Sequence, residues 1–393
     1  MKNKIEAIAS KIDSELIAIR RHLHQYPELA FEEYQTSAFI QTKLQDWNVA
    51  FKSGVAKTGI VAEIKGNNPD SQTFVLRGDM DALPILEEND AEYKSTYDGL
   101  MHACGHDVHT TCVLGAVYVL NELKKEFEGT IRVLFQPSEE KLPGGASVMI
   151  EEGVLQNPVP SAIIGQHVFP ELEVGKVGFR SGMYMASCDE LYFTVKGQGG
   201  HAALPHKIKD PIEMASSIVL ALKELPLQSP PGVPTVLSIG KIEGLGATNV
   251  VPNEVKMEGT LRTMNEVWRA QIHSYIKDVA KFAARELGGE CEVNIAKGYP
   301  FLINNEEVTK LCKDWATDLL GEENVVDLEM RMTAEDFSYY THHVPGCFYR
   351  LGVKNEEKGI TSPVHTSTFD VDEKCLGLGT RLMSFMAIQF LNQ

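Results

Sequence analysis

Residues 73–84 read TFVLRGDMDALP, an apolar strand pattern that runs out into two carboxylates, Asp79 and Asp81. The same figure recurs along the first half of the chain. TIRVLFQP (130–137) is followed by Ser138, Glu139 and Glu140, and SAIIGQHV (161–168) delivers His167 at its end. Between and before these strands lie helical patterns, two at the start (3–25 and 31–47), DVHTTCVLGAVYVLNELKKE (107–126) and a shorter one near 145–153. GIVAEIKG (59–66) reads as a further strand. Alternating helices and strands predict an α/β fold with an open, mostly parallel sheet, in which ligands gather at the carboxyl ends of the strands. Three strands that each deliver Asp, Glu or His to that edge make it the place to look for chemistry.

The rhythm changes after about residue 186. DELYFTVKG, PIEMASSIVLALKEL, TVLSIGKIEG, EVKMEGTLRT, EVWRAQIHSYIKDVAKFAARELG and CEVNIA follow one another as β-α-β-β-α-β, the split βαβ order of a ferredoxin-like domain. Helix and strand patterns then resume at 305–320, 346–352 and 373–391. At 393 residues two domains are expected. The reading is a discontinuous α/β domain of residues 1–185 and 298–393 with a smaller α+β domain, 186–297, inserted into it.

The chain carries 7 cysteines, scattered singly, and a formal charge of −17. An odd number of unpaired spacings argues against a disulfide framework, and the acidity, without a basic cluster, argues against a nucleic-acid partner. No run of about 18 uncharged apolar residues is present, so no membrane span is expected, and the polar opening MKNKIEAIASKIDSE lacks the pattern of a signal peptide. The expected location is the cytoplasm.

MHACGHDVH (101–109) places Cys104 and His106 two apart around Gly105, so that thiolate and imidazole could reach one ion from a loop. A buried cysteine beside a helix-capping Asp107 is the plainer alternative. A Cys/His nucleophile is a third reading, opposed by the surrounding carboxylates, which would raise the thiol's pKa unless a cation lay nearby. The adjacent Glu139 and Glu140 repel each other in a partly buried loop, and a metal ion resolves that. One can bind the ion while the other takes a proton from the attacking water. His365, in TSPVHTSTFD, and His201, in GQGGHAALPH, are by themselves only loop histidines.

Taken together, RRHLHQYPELAFEEYQT (20–36), LRGDMDALP (76–84), MHACGHDVH, FQPSEE (135–140), GQHVFP (165–170), GQGGHAALPH (197–206), TNVVPNEV (248–255), GTLRT (259–263) and AEDFSYY (334–340) resemble the aminoacylase, carboxypeptidase and hippuricase family of dinuclear metallopeptidases. The likeness is to the branch of hippurate hydrolases, N-acetyl-diaminopimelate deacetylases and auxin-conjugate hydrolases, and it runs the full length. It implies two divalent ions (Zn, Mn, Co or Ni) held by Cys104, His106, Glu140, His167 and His365, with Glu139 as general base and Asp81 orienting a ligand. It further implies that the inserted domain is a lid and dimer interface, giving a homodimer or a tetramer. His201 would then reach the partner subunit's active site to stabilise the oxyanion, and Asn249 and Arg262 would hold the substrate carboxylate. The expected reaction is hydrolysis of N-acyl-amino acids to a carboxylic acid and a free amino acid. A dipeptidase or carboxypeptidase is the alternative, and a metal-binding protein without catalysis a more distant one. Relatives outside the branch have His-x-Asp where this chain has Asp79-Met80-Asp81, which leaves open the residue that bridges the ions and any metal role for Asp79.

Overall fold

A computed structural model describes residues 1–393 and divides them into two compact units. The first comprises Met1–Gly182, Ile303–Glu329 and Asp336–Gln393; the second comprises Met183–Leu302 and Met330–Glu335.

The first unit is built on an eight-stranded sheet in the order Ala50–Val55, Gly59–Lys65, Thr130–Gln136, Thr73–Asp79, Ala162–Glu173, Gly346–Lys354, Val177–Phe179, Val325–Asp327. The four central strands, Thr130–Gln136 to Gly346–Lys354, are mutually parallel. Antiparallel pairs occur towards the two sides. Thr73–Asp79 and Thr130–Gln136 are buried at every position, as expected of parallel strands covered on both faces. The helix His106–Glu122 crosses this core with 14 buried residues, including Val108, Cys112, Val113, Leu114, Ala116 and Val117, and packs against Lys374–Leu391. Because four strands run in one direction, the segments leaving Asp79 and Gln136 emerge at a common edge.

Local chemistry explains where the structure departs from the sequence reading. The first helical stretch is broken into Lys2–Ala9 and Asp13–Gln25. Ser10 Oγ turns back onto the Glu6 carbonyl at 2.7 Å, a local bond that competes with helix continuation. The next helix begins at Tyr34 rather than 31, since Phe31 takes φ 62° and Glu33 is drawn into the interior. His167 does not end its strand. Ala162–Glu173 continues because Gly346–Lys354 pairs with it as far as Phe169↔Gly352 and Glu173↔Lys354, although its buried stretch stops at Val168. The edge strand Ala50–Val55 and the short Val177–Phe179 and Val325–Asp327 are additional to the elements read from the sequence.

The second unit holds a four-stranded antiparallel sheet, ordered Thr235–Glu243, Glu254–Thr263, Asp189–Lys196, Glu290–Lys297, with the helices Pro211–Leu222 and Glu266–Glu286. Asp210 caps the first helix, accepting from Ile212 N at 2.8 Å ahead of a first-turn proline, and Asn265 caps the second through Trp268 N at 2.9 Å. Leu191, Phe193, Val195, Met257, Ile272 and Ile276 form the core of this unit. A separate two-stranded ribbon pairs Gly200–His201 with Val250–Val251.

Candidate metal centre

The loops that leave the central strands bring six of the sequence-selected residues together. Cys104, His106 and His167 form one group whose ligand atoms all lie within 4.8 Å of one another; Cys104, Glu140 and His365 form a second, and His106, Glu139 and Glu140 a third. The three groups overlap, with Cys104 common to the first two, His106 to the first and third, and Glu140 to the second and third.

Each side chain is aimed by a specific partner. Gly105 supports the sharp entry into the helix that carries His106: its φ is 80°, and a Cβ there would lie 2.5 Å from Val168 Cγ2. His106 Nδ1 donates to the Asp81 carbonyl at 2.8 Å, which leaves Nε2 buried and without a hydrogen-bond partner. A buried imidazole nitrogen with its other nitrogen so held is the usual preparation for metal ligation. His167 is fixed in the same way, Nδ1 donating to the Val168 carbonyl at 2.7 Å and Nε2 lying 3.4 Å from Cys104 Sγ. His365 has φ 63°, held there by its N–H to the Ala103 carbonyl at 2.7 Å. Its Nε2 lies 3.2 Å from Cys104 Sγ and 3.1 Å from Glu140 Oε1. A non-glycine residue in the left-handed region is costly and persists where its surroundings demand it.

Asp81 works in two directions. Beyond the carbonyl that orients His106, its carboxylate accepts the backbone N–H of Glu139 (2.9 Å) and of Glu140 (2.9 Å). The two glutamates are thus presented from one fixed turn. Glu33, which sequence reasoning left without a role, braces the same turn by accepting from Ser138 N at 2.8 Å, with Thr58 Oγ1 at 2.6 Å on its other oxygen. Burial, with the neighbouring charge of Asp81, raises the Glu33 pKa to about 7. Ser138 itself takes φ 52°.

The electrostatics ask for a cation. Burial pushes the Cys104 thiol well above its ordinary range, and Glu140, Glu139 and Asp79 add to the shift, which opposes a thiol nucleophile in the absence of a cation. Burial disfavours charge on His106 as well, yet Asp79 and Asp81 overcome it and hold its pKa near 10. His167 is driven well below 6.5 by burial and by Arg350 and His109, so it stays neutral. A divalent ion reverses each mismatch, favouring the thiolate and taking the place of a proton on imidazole. The soft sulfur, two buried imidazoles, a third at the rim and two carboxylates therefore fit a pair of divalent ions. Asp79 and His109 are otherwise engaged: Asp79 accepts from Arg77 and from His109 Nδ1, while His109 Nε2 accepts the Val168 N–H at 2.9 Å. Asp107 is not a helix cap; its carboxylate takes Arg20 Nε at 2.9 Å and His24 Nδ1 at 2.8 Å.

The remaining sequence candidates lie in the second unit. His201 lies in the small ribbon and Asn249 in the turn that leads into its second strand, where Ala202 N donates to the Asn249 carbonyl at 3.0 Å, and both are exposed. His201 Nδ1 accepts Ala203 N–H at 3.1 Å, which places the ring proton on Nε2. Arg262 belongs to the other sheet, in Glu254–Thr263, with Nη1 bonded to Thr260 Oγ1 (2.6 Å) and the Leu261 carbonyl (3.3 Å).

A parallel-centred sheet that gathers overlapping donor groups and a further glutamate at one edge fits a metal-dependent hydrolase. The chain belongs to peptidase family M20/M25/M40, whose model matches residues 75–389. It is 38% identical over 373 residues to the N-acetyl-L-cysteine deacetylase of Bacillus subtilis, covering 93% of this chain and 86% of that protein. It is 37% identical over 395 residues to thermostable carboxypeptidase 2 of Saccharolobus solfataricus, covering 99% of each. Among solved structures, the Bacillus subtilis YXEP protein, a dinuclear metal binding peptidase of the M20 family, superimposes with a TM-score of 0.84 at 33% identity, over 97% of this chain and 99% of that one.

Proposed function

We propose that this enzyme hydrolyses the amide bond of N-acyl-amino acids, releasing a carboxylic acid and a free amino acid, with two divalent ions drawn from Zn, Mn, Co and Ni. The observation that carries the proposal is the pair of donor groups meeting at Cys104, with Glu139 set beside the ligand Glu140 from the turn that Asp81 clamps. Cys104, His106, Glu140, His167 and His365 would hold the two ions. When bound, the ions supply Lewis acidity and make water a stronger acid. Glu139 takes the proton of the attacking water and passes it to the leaving amine. His201, with its proton on Nε2, donates to the oxyanion from the partner subunit, and Asn249 and Arg262 receive the substrate carboxylate.

The second unit serves as lid and dimerisation domain. Its edge strand Thr235–Glu243 exposes Val236 and Ile242, with Leu245 just beyond, which supports a homodimer or a tetramer of such dimers. No helix is long and apolar enough to cross a membrane, and all seven cysteines are unpaired, which fits work in the cytoplasm. A dipeptidase or carboxypeptidase activity is the second reading, favoured by the likeness to the archaeal carboxypeptidase. Purified protein reconstituted with each metal is to be tested against acetyl-, benzoyl- and aminoacyl-amino acids by mass spectrometry. Release of acetate or benzoate supports the first reading, turnover of peptides alone supports the second, and turnover of none overturns both.

A further inference from the structure

Beneath the candidate metal centre lies a charged group that neither binds metal nor reaches the surface. Arg77 is 1% exposed, two residues before the end of Thr73–Asp79, directly after the apolar Phe74, Val75 and Leu76. Its planar fork is spread over three partners on three segments: Nε to Gln136 Oε1 at 2.8 Å, Nη1 to Asp79 Oδ2 at 2.5 Å, and Nη2 to Asp336 Oδ1 at 2.7 Å. Gln136 Nε2 closes the ring by donating to both Asp336 oxygens at 2.8 Å.

Two arms lead outward from this fork. In the first, Asp79 Oδ1 accepts His109 Nδ1 at 2.6 Å, and His109 Nε2 accepts the Val168 N–H at 2.9 Å. Val168 is also the residue whose carbonyl fixes His167 Nδ1, so this arm ends on the backbone that aims a candidate ligand. In the second, the Asp336 carboxylate, held by Arg77, Gln136 and Ala146 N (3.0 Å), places the Asp336 backbone N–H 3.3 Å from Glu139 Oε1. That arm ends on the proposed base.

We propose that Arg77 is a positioning residue that sets the ligand His167 and the base Glu139 from a single guanidinium. The inference rests on the reading of Glu139 given above and adds the device that holds it relative to the ligands. Misplacement of a catalytic group by an ångström is enough to cost about 100-fold in rate, and loss of an outer partner of a metal ligand costs about 10- to 100-fold in affinity or activity. The fork matters as well as the charge, because a lysine ammonium cannot span three partners in one plane.

The test uses full-length protein with three variants, each measured for kcat and KM at saturating metal, for metal affinity by competition with a chromogenic chelator, and for thermal midpoint. Arg77→Lys cuts both arms and is expected to lower kcat by about 10- to 100-fold, with KM within about threefold, and to weaken metal binding by about tenfold or more. Asp336→Asn turns an amide N–H towards Gln136 Nε2 or Ala146 N, so it disturbs only the second arm. It is expected to lower kcat to a similar degree while metal affinity stays within about threefold. His109→Gln disturbs only the first arm and is expected to weaken metal binding by about 10-fold or more. The two single-arm variants keep the question answerable where Arg77→Lys does not fold. The proposal is overturned if Arg77→Lys keeps at least half the wild-type kcat, or if Asp336→Asn loses metal affinity and not kcat. Glu139→Gln is the control on the underlying reading. If it retains kcat, the base assignment falls, and the Arg77 device is then judged on the metal affinities of Arg77→Lys and His109→Gln alone.

Discussion

Two buried clusters of ionisable groups, one in each unit, look alike in composition and differ in closure. In the second unit, Asp189 accepts Arg269 Nη2 (2.5 Å) and Nε (2.9 Å), His273 Nε2 (2.6 Å) and Gly298 N (3.2 Å). Arg269 also donates through Nη1 to Glu266, and its Nη2 is shared with the Cys188 and Gly298 carbonyls. The Asp189 carboxylate and the Arg269 guanidinium are matched by partners within the cluster. In the first unit, Cys104 is hemmed by Glu139, Glu140 and Asp79, and His106 Nε2 is left without a partner. A cluster that closes on itself is structural, whereas one left with acceptors crowding a thiol and an orphaned imidazole nitrogen is built around something else.

The sharpest way to break this contrast is to remove one group from each side. Glu139→Gln is expected to lower kcat by about 100- to 10,000-fold, the range of a lost general base, while elemental analysis still finds the bound metal. A variant with full metal and full rate would show that the open cluster is not catalytic through Glu139. Arg269→Met is the counterpart. It strands a buried carboxylate and is expected to cost about 3–5 kcal/mol in urea unfolding, with kcat of the folded protein within about threefold of wild type. Loss of rate without loss of stability would make the closed cluster functional after all.

Chelation acts on one cluster only. Stripping ions present at about 100 times their dissociation constant should remove about 2.7 kcal/mol of stability per site, read as a lower thermal midpoint that returns when metal is restored. The comparison is sharpened by repeating the titration on Arg269→Met, where the same decrement is expected because the two clusters share no residue. An unchanged midpoint in the wild type would mean that the open cluster holds no ion.

The open cluster was legible in the sequence where local pattern carried it. Asp79, Asp81, Glu139 and Glu140 follow strands of unmistakable apolar pattern, and the four central strands and the β-α-β-β-α-β order emerged for the same reason. His365, by contrast, enters the group from a loop 261 residues away from Cys104, which no local pattern reports. Arg77 escaped notice because its partners Gln136 and Asp336 are 59 and 259 residues distant, although an arginine inside the apolar run TFVLRGD was itself a signal that a buried charge needed partners. Ala50–Val55 was missed because an edge strand with one buried residue, Val55, lacks the alternation by which strands are read.

The smallest effect concerns the closed cluster and its pH dependence. Burial works against the charged form of Asp189, but His273 and Arg269 outweigh it and bring its pKa down to about 2, from 3.8 in the unfolded chain. A depressed carboxyl pKa contributes stability that is present above the unfolded value and is lost as pH falls through the folded one. The shift is worth about 2 kcal/mol, so the margin of wild type over Asp189→Asn should fall by about that amount between pH 6 and pH 2, shrinking from about pH 4 downwards. Urea midpoints of the two proteins across that range measure it. A margin that stayed constant with pH would mean that the Asp189 side chain contributes by shape and neutral hydrogen bonding, and that the closure of this cluster does not depend on its charge.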